Sequence, residues 1–312
     1  MTGAAALPLP SGDHDQAADH HGPLLAERNG FAVIDCAACG FAHATPVPTV
    51  EELVATYAHD YYAAEKPLYL ARTEEDRAWW LDVYDERLQR MEAGLPAGDR
   101  IMLDIGSGPG LFLDAAAARG WRTLGVEPSR QAAAHARGLG HDIREGFFDA
   151  AMAATLPPVD AIHMALVLEH VPDPAALLAA ARGLLRPGGA LCVVVPNDFN
   201  PLQRAAQAQG LSPWWVAPPH HLNYFTGTTL ARLVERAGFR VVHCGATFPM
   251  ELFLLMGDVY VGNDALGRAC HRKRKVFETA LRAAGQADLL ARLYDSLAAQ
   301  GLGRELVLHA QA

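Results

Sequence analysis

From Arg100 onward, short apolar runs alternate with longer amphipathic ones. IMLDIG (101–106) is almost wholly apolar and reads as a strand, whereas PGLFLDAAAARG carries apolar residues at helical spacing and stops at Gly120. The pair recurs as WRTLGVE, a strand, and SRQAAAHARGLG, a helix with Ser129 as N-cap. DIREGFF and DAIHMALV predict two more strands, DPAALLAAARGLL a helix, and ALCVVVP a strand entered through the turn RPGG. Apolar strands separated by helices predict a parallel sheet covered on both faces.

After Asn197 the alternation is broken by an aromatic insert, PWWVAPPHHLNYF. It resumes with TLARLVERAG as helix and FRVVHCGA as strand; residues 249–303 read as helical, and ELVLHAQA reads as a last strand that must be tied into the sheet. Upstream, residues 1–30 are polar, rich in Ala and His, and expected to be loose. Residues 31–99 read as a small irregular segment followed by helices in EELVATYAHDYY and DRAWWLDVYDERLQRMEAG. The expected organisation is α/β: a core over 100–248, a helical cap from 31–99 and 249–303, and a final core strand at 304–312.

Composition narrows the function classes. A net charge of −9 over 312 residues opposes general nucleic-acid binding. No apolar run approaches the about 20 residues of a membrane helix, and the first residues lack the basic start of a secretory signal. A cytoplasmic protein without membrane or nucleic-acid partners is the expectation. Five cysteines with one close pair do not suggest a disulfide framework. Only three lysines occur, two of them in HRKRK (271–275), which reads as a solvated helix face; a site for a phosphate or carboxylate is the functional alternative.

The candidate chemistry begins at LDIGSGPG, residues 103–110. Gly106 can take dihedrals closed to other residues, Gly108 leaves room for a ligand, and Gly110 lets a helix start close to the strand. The absence of Gly-Lys-Ser/Thr excludes a phosphate-binding P-loop, and GxGxG spacing makes a dinucleotide fold the competitor. Glu127 ends the second strand of the unit, where a carboxylate accepts from two ribose hydroxyls.

LDIGSGPG, GVEPS, LVLEHVPDP and LLRPGGALCVVVPN, in this order, resemble the class I S-adenosylmethionine-dependent methyltransferases over about residues 100–246. The resemblance implies a Rossmann-like, seven-stranded, mostly parallel sheet with helices on both faces, whose last strand runs antiparallel between its neighbours; ELVLHAQA would supply it. It implies that Asp104, Gly106, Ser107, Gly108 and Gly110 border the methionine part of S-adenosylmethionine. Glu127 would hold the ribose, Phe148 and Asp149 would stand where the family presents an adenine contact, and Pro128 and Ala165 would also border the cofactor. FFDAAMAATLPP departs there from the commoner acidic-polar pattern.

Histidines dominate the candidate bases, because imidazole titrates near neutrality. His170 follows the fourth strand, as a base or as a residue that fixes its loop. His220 and His221 lie in APPHHLNYFT, where acceptor-binding elements usually lie, with Trp214, Trp215, Tyr224 and Phe225 as an acceptor wall or as packing. PPHHLNYFT, the upstream CxxCGF and a Tyr-rich helix resemble family members that methylate sugars and other small metabolites, some of them at carbon. That likeness implies a Tyr beside the His, with Tyr62, or Tyr61, as candidate; core packing of the helix is the alternative. The same relatives imply a zinc ribbon with two CxxC pairs. This chain has only Cys36 and Cys39, followed by His43, with His14, His20 and His21 upstream to substitute. A ribbon without metal is the expected state.

The reading is therefore a methyltransferase for a small-molecule acceptor, a sugar or other biosynthetic intermediate. Its rivals are a nicotinamide-dependent oxidoreductase, opposed by the GxGxG spacing and the RPGG turn, and a non-catalytic cofactor-binding partner protein, opposed by the His- and aromatic-rich insert.

Overall fold

A computed structural model describes residues 20–48, 69–96 and 98–312. At the N-terminus, β1 (Leu24–Arg28), β2 (Phe31–Cys36) and β3 (Phe41–Thr45) form an antiparallel ribbon, followed by helices α1 (Tyr69–Glu75) and α2 (Arg77–Glu92). The core then runs β4 (Ile101–Ile105), α3 (Leu111–Ala118), β5 (Arg122–Glu127), α4 (Arg130–Gly138), β6 (Asp142–Glu145), α5 (Ala150–Ala154), β7 (Val159–Ala165), α6 (Pro174–Leu184) and β8 (Leu185–Pro196). The rest comprises α7 (Pro201–Ala208), β9 (Asn223–Tyr224), α8 (Gly227–Arg236), β10 (Arg240–Ala246), α9 (Glu251–Leu255), α10 (Asp264–Ala283), α11 (Ala287–Ala299) and β11 (Glu305–Gln311).

The main sheet has seven strands in the order β10-β11-β8-β7-β4-β5-β6. β11 is antiparallel to both neighbours, and β8 through β6 are parallel. The expected sheet and the insertion of its last strand are both present. Side chains alternate across it as the pleat requires. Leu103, Ile105, Ile162, Met164, Leu191 and Val193 face α6 and α8, while Met102, Ala161, Ala190, Cys192 and Val194 face α2 and α3. Ser129 caps α4 through its hydroxyl, which accepts from the Ala132 amide at 3.3 Å.

Three local readings are corrected. Residues 24–28 are not loose, and 31–45 are not irregular: they pair as the ribbon, and β3 pairs onward with β9 from the aromatic insert. These strands are only five or six residues long, so pairing rather than a long periodic run defines them. RPGG is not a separate turn but the irregular start of β8, with a register shift opposite Val159 and Ala161. DIREGFF is strand only through Glu145, and Phe148 turns into the core. The helix expected in EELVATYAHDYY, and with it Tyr61 and Tyr62, lies outside the described residues.

The cap joins α2 to α10. Buried Glu278 accepts from Trp79 Nε1 at 2.7 Å, Arg274 Nε at 2.9 Å and Tyr294 Oη at 2.5 Å. HRKRK is spent on this contact and its surroundings: His271 and Lys275 pair with Asp76, Lys273 with Asp258 and Arg274 with Glu278. Four of the five cationic positions therefore already face carboxylates, which supports the structural reading over an anion site. No described helix is long and apolar enough to cross a membrane.

Candidate functional site

β4 pairs with β5 on one side and β7 on the other, so its carboxyl end is a switch point, where an open α/β sheet opens a crevice. The glycine turn stands there. Gly106, Gly108 and Gly110 have φ of 73°, 52° and 92°, the left-handed region that favours glycine. The amides of Gly106 and Ser107 both donate to Val126 O, at 2.8 and 3.2 Å, and fold the turn over β5. A Cβ on Gly106 would stand 2.7 Å from Val167 Cγ2. The turn is therefore bare for packing as well as for a ligand.

Glu127 is 2% exposed at the end of β5. Its carboxylate accepts from the Gly108 amide at 2.8 Å and the Ser129 amide at 2.8 Å. Burial pushes its pKa up to about 7, against the opposing pull of those two amides. Four lone-pair sites with two amide donors leave acceptor capacity for hydroxyls. Ser107 Oγ is buried against Gly125 of β5 without a hydrogen-bond partner among the described residues. A glycine cradle and a buried acid fit a nucleoside cofactor carrying a polar tail.

The remaining cofactor candidates divide. Pro128 and Ala165 are half-buried at the ends of β5 and β7. Phe148 packs in the main core, and Asp149 Oδ1 caps α5 by accepting from Met152 N at 2.7 Å. Asp104 does not face open space; it is 3% exposed and bonded to His163. Two residues that sequence reasoning missed, Leu166 and Phe199, sit just beyond β7 and β8 with φ of 58° and 56°. Such backbone is uncommon outside glycine and gathers at functional sites.

On the acceptor side the structure brings His170 and His221 together, with ring centroids 5.0 Å apart. His170 Nδ1 donates to His220 O at 2.6 Å, so it ties the loop after β7 to the loop before β9. Glu169, 1% exposed, offers a carboxylate oxygen 3.7 Å from His170 Nε2. Glu169, His170 and His221 place ligand-capable atoms within 4.8 Å of one another. Glu169 was missed from sequence alone; its signal is an acid directly before His170 at the end of an apolar run. Of the aromatic candidates, Trp215, Tyr224 and Phe225 are at most 2% exposed and pack, Trp215 and Tyr224 against Val33, Ala42 and Ala44 of the ribbon. At the end of β8, Asp198 is also buried and pushed up to about 7 by desolvation, with Arg304 opposing.

At the ribbon, His20, Cys36, Cys39 and His43 cluster, each offering one ligand atom within 4.8 Å of the others. Of the three upstream histidines, His14 lies outside the described residues and His21 is not in the cluster.

A profile of the family described as Methyltransferase domain matches residues 61–244. The ubiquinone biosynthesis O-methyltransferase of Aeromonas salmonicida is 34% identical over 154 residues, 46% of this chain and 64% of that protein. Its namesake from Xylella fastidiosa is 34% identical over 117 residues, 36% of this chain and 48% of that protein. The chain thus spans only about half to under two thirds of the length of these curated relatives. A crystal structure of a SAM-dependent methyltransferase from Archaeoglobus fulgidus shares the fold at 16% identity and a TM-score of 0.51, over 78% of this chain and 99% of that one. With the profile covering more than half of its length, the chain belongs to the methyltransferase domain family, whose cofactor is S-adenosylmethionine.

Proposed function

We propose that the chain transfers the methyl group of S-adenosylmethionine to a small-molecule acceptor. Glu127 carries the reading: it is a buried carboxylate with no cation partner among the described residues, at the switch point, bonded to the middle glycine of the turn. Such a group gains most from two hydroxyl donors on one ribose. Gly106, Ser107 and Gly108 would hold the amino-acid tail, Phe148 and Asp149 the base, and Pro128 and Ala165 would line the cofactor beside them.

The bound cofactor supplies an already activated sulfonium methyl. The chain's task is then to hold the acceptor atom in line with that methyl and to take its proton where it carries one. His221, beside His170 and Glu169, is the favoured base, with His220 second. His170 spends Nδ1 on His220 O and acts as the residue that fixes the two loops. Tyr62 stays a candidate partner of the base through the family likeness alone. The names of the curated relatives make a hydroxylated acceptor the first class to assay, beside sugars.

The test is a thermal shift with each cofactor. S-adenosylmethionine at 100-fold excess over Kd should stabilise the chain by about 2.7 kcal/mol, and NAD or NADP should leave it unmoved. Stabilisation by the nicotinamide cofactors alone would overturn the reading in favour of an oxidoreductase.

A further inference from the structure

The cluster at the ribbon has the dimensions of a closed metal site. Cys36 Sγ and Cys39 Sγ lie 3.7 and 3.5 Å from His20 Nδ1. Zinc bonds of ~2.3 Å to sulfur and ~2.05 Å to nitrogen, at tetrahedral angles, put sulfur and nitrogen about 3.6 Å apart. The fourth corner is prepared. His43 Nδ1 donates to Ala44 O at 2.8 Å, which leaves Nε2 as the bare nitrogen. That Nε2 is buried without a hydrogen-bond partner among the described residues, in a side chain 3% exposed.

The backbone is also built for the site. The Gly40 amide donates to Cys36 O at 2.8 Å and closes the turn that brings both thiols to one side. The Ala37 amide donates to His21 O and the Asp35 amide to Pro23 O, each at 2.9 Å, which lays the segment from His20 alongside. Gly22 makes that approach possible, since a Cβ there would stand 1.9 Å from Asp35 O.

β3 carries His43 directly into the acceptor loop. His43 pairs with Asn223 and Ala42 with Tyr224, and the Ala44 amide donates to Leu222 O at 2.7 Å. Asn223 Nδ2 in turn donates to Leu168 O and Val171 O at 2.8 and 2.7 Å, and the Leu222 amide to Glu169 O at 2.7 Å. The cluster, the His220–His221 loop and the Glu169–His170 loop are one hydrogen-bonded unit.

We propose that His20, Cys36, Cys39 and His43 hold one zinc ion, and that this ion holds the β3–β9 pairing on which the His220–His221 loop rests. Two thiolates and two imidazoles in tetrahedral reach select zinc over oxygen-seeking cations, and binding releases the two thiol protons. The proposal goes beyond the methyl-transfer reading and does not depend on it.

The test uses the full chain purified without chelator. Elemental analysis should find about one zinc per chain; His20→Ala and Cys36→Ser should lose it, and His21→Ala should keep it. Cobalt added to zinc-stripped parent should give the visible bands of a tetrahedral thiolate site, a readout that does not depend on whether a variant folds. Less than a tenth of a zinc per chain together with no cobalt bands would overturn the site. For the second half, stripping the metal should raise amide hydrogen exchange at Ala44, Leu222 and Asn223 at least tenfold, with β4 and β7 unchanged. Unchanged exchange at those three amides, or an equal rise throughout the core, would overturn the coupling to the loop.

Discussion

Asp104 and His163 stand opposite each other on the parallel strands β4 and β7, with His163 Nδ1 2.7 Å from Asp104 Oδ1. Arg87 Nη1 faces the other ring nitrogen at 3.3 Å, so Nδ1 is the protonated nitrogen and donates to the carboxylate. Phe112 stacks on the imidazole, with centroids 3.7 Å apart and planes 12° from parallel. The residue two positions before the glycine turn is thus held from beneath the sheet. From His163 the row continues in register through Cys192 on β8, His309 on β11 and His243 on β10 to Asp295.

His163→Leu should leave Asp104 buried without its donor. Urea unfolding should show a loss of about 2–3 kcal/mol, the cost of an unsatisfied buried charged group. Calorimetry should show weaker S-adenosylmethionine binding as well, because the turn begins at Gly106. Parental stability would mean that Asp104 is satisfied elsewhere.

Glu127 couples cofactor binding to pH. Burial raises its pKa to about 7, so near neutrality a fraction of the free protein carries the proton. Ribose hydroxyls donate to the ionised form and should pull that pKa down, expelling the proton. Affinity should fall as pH drops below about 7, and S-adenosylhomocysteine binding at pH about 6.5 should release protons, seen as a buffer-dependent enthalpy. Glu127→Gln should abolish the release; a release unchanged in that variant assigns the proton to another group.

The turn should tolerate no β-branched residue. Gly108→Val places a branched side chain at φ 52° beside the Glu127 carboxylate and should abolish cofactor binding while the fold persists. Glu127→Ala should weaken binding by roughly 1.5–3 kcal/mol, the scale of a lost charge-assisted hydrogen bond. Unchanged affinity in both variants, by calorimetry, moves the cofactor site elsewhere.

His309 should make the fold acid-sensitive. It is 3% exposed, and burial first, then the nearby cations, push its pKa from 6.5 down to about 3. Between those values the unfolded chain binds a proton that the folded chain refuses. Its contribution is present in full above about pH 6.5 and is lost as pH falls towards 3. His309→Leu should lower the slope of stability against pH in that window by up to one proton, about 1.4 kcal/mol per pH unit. An unaltered slope would assign the sensitivity to other buried histidines.

The base is tested by single replacements in the acceptor loop. His221→Asn should lower turnover ~10²–10⁴-fold with cofactor affinity intact, and less for acceptors that are already ionised. His220→Asn should act mainly through acceptor KM if its part is to hold the loop. Near-parental turnover in both variants would pass the role to His170 or Tyr62, or to an acceptor that needs no base.

The core was legible in the chain because its signals are local. Apolar runs of strand length, amphipathic stretches of helix length and Ser129 before a helix each act within a few residues, and they led to the right strands and helices; the seven-stranded order came from the family resemblance. The glycine turn and Glu127 were legible for the same reason: a tight turn after a strand and an acid ending the next one need no distant partner to be seen. The ribbon was not legible, since its strands are only five or six residues long and their pairing with one another and with β9 defines them. Tertiary structure alone decided which residues meet. His163 reaches Asp104 across 59 positions of chain because β4 and β7 are neighbours in register, and His20 rather than His21 joins the Cys36–Cys39 turn because the strand from Pro23 pairs with Asp35. Trp215 and Tyr224 went to packing because β9 adds to the ribbon and turns them onto Val33 and Ala44. Local steric and hydrophobic preferences are written residue by residue; register and sheet order arise only when distant segments bury one another.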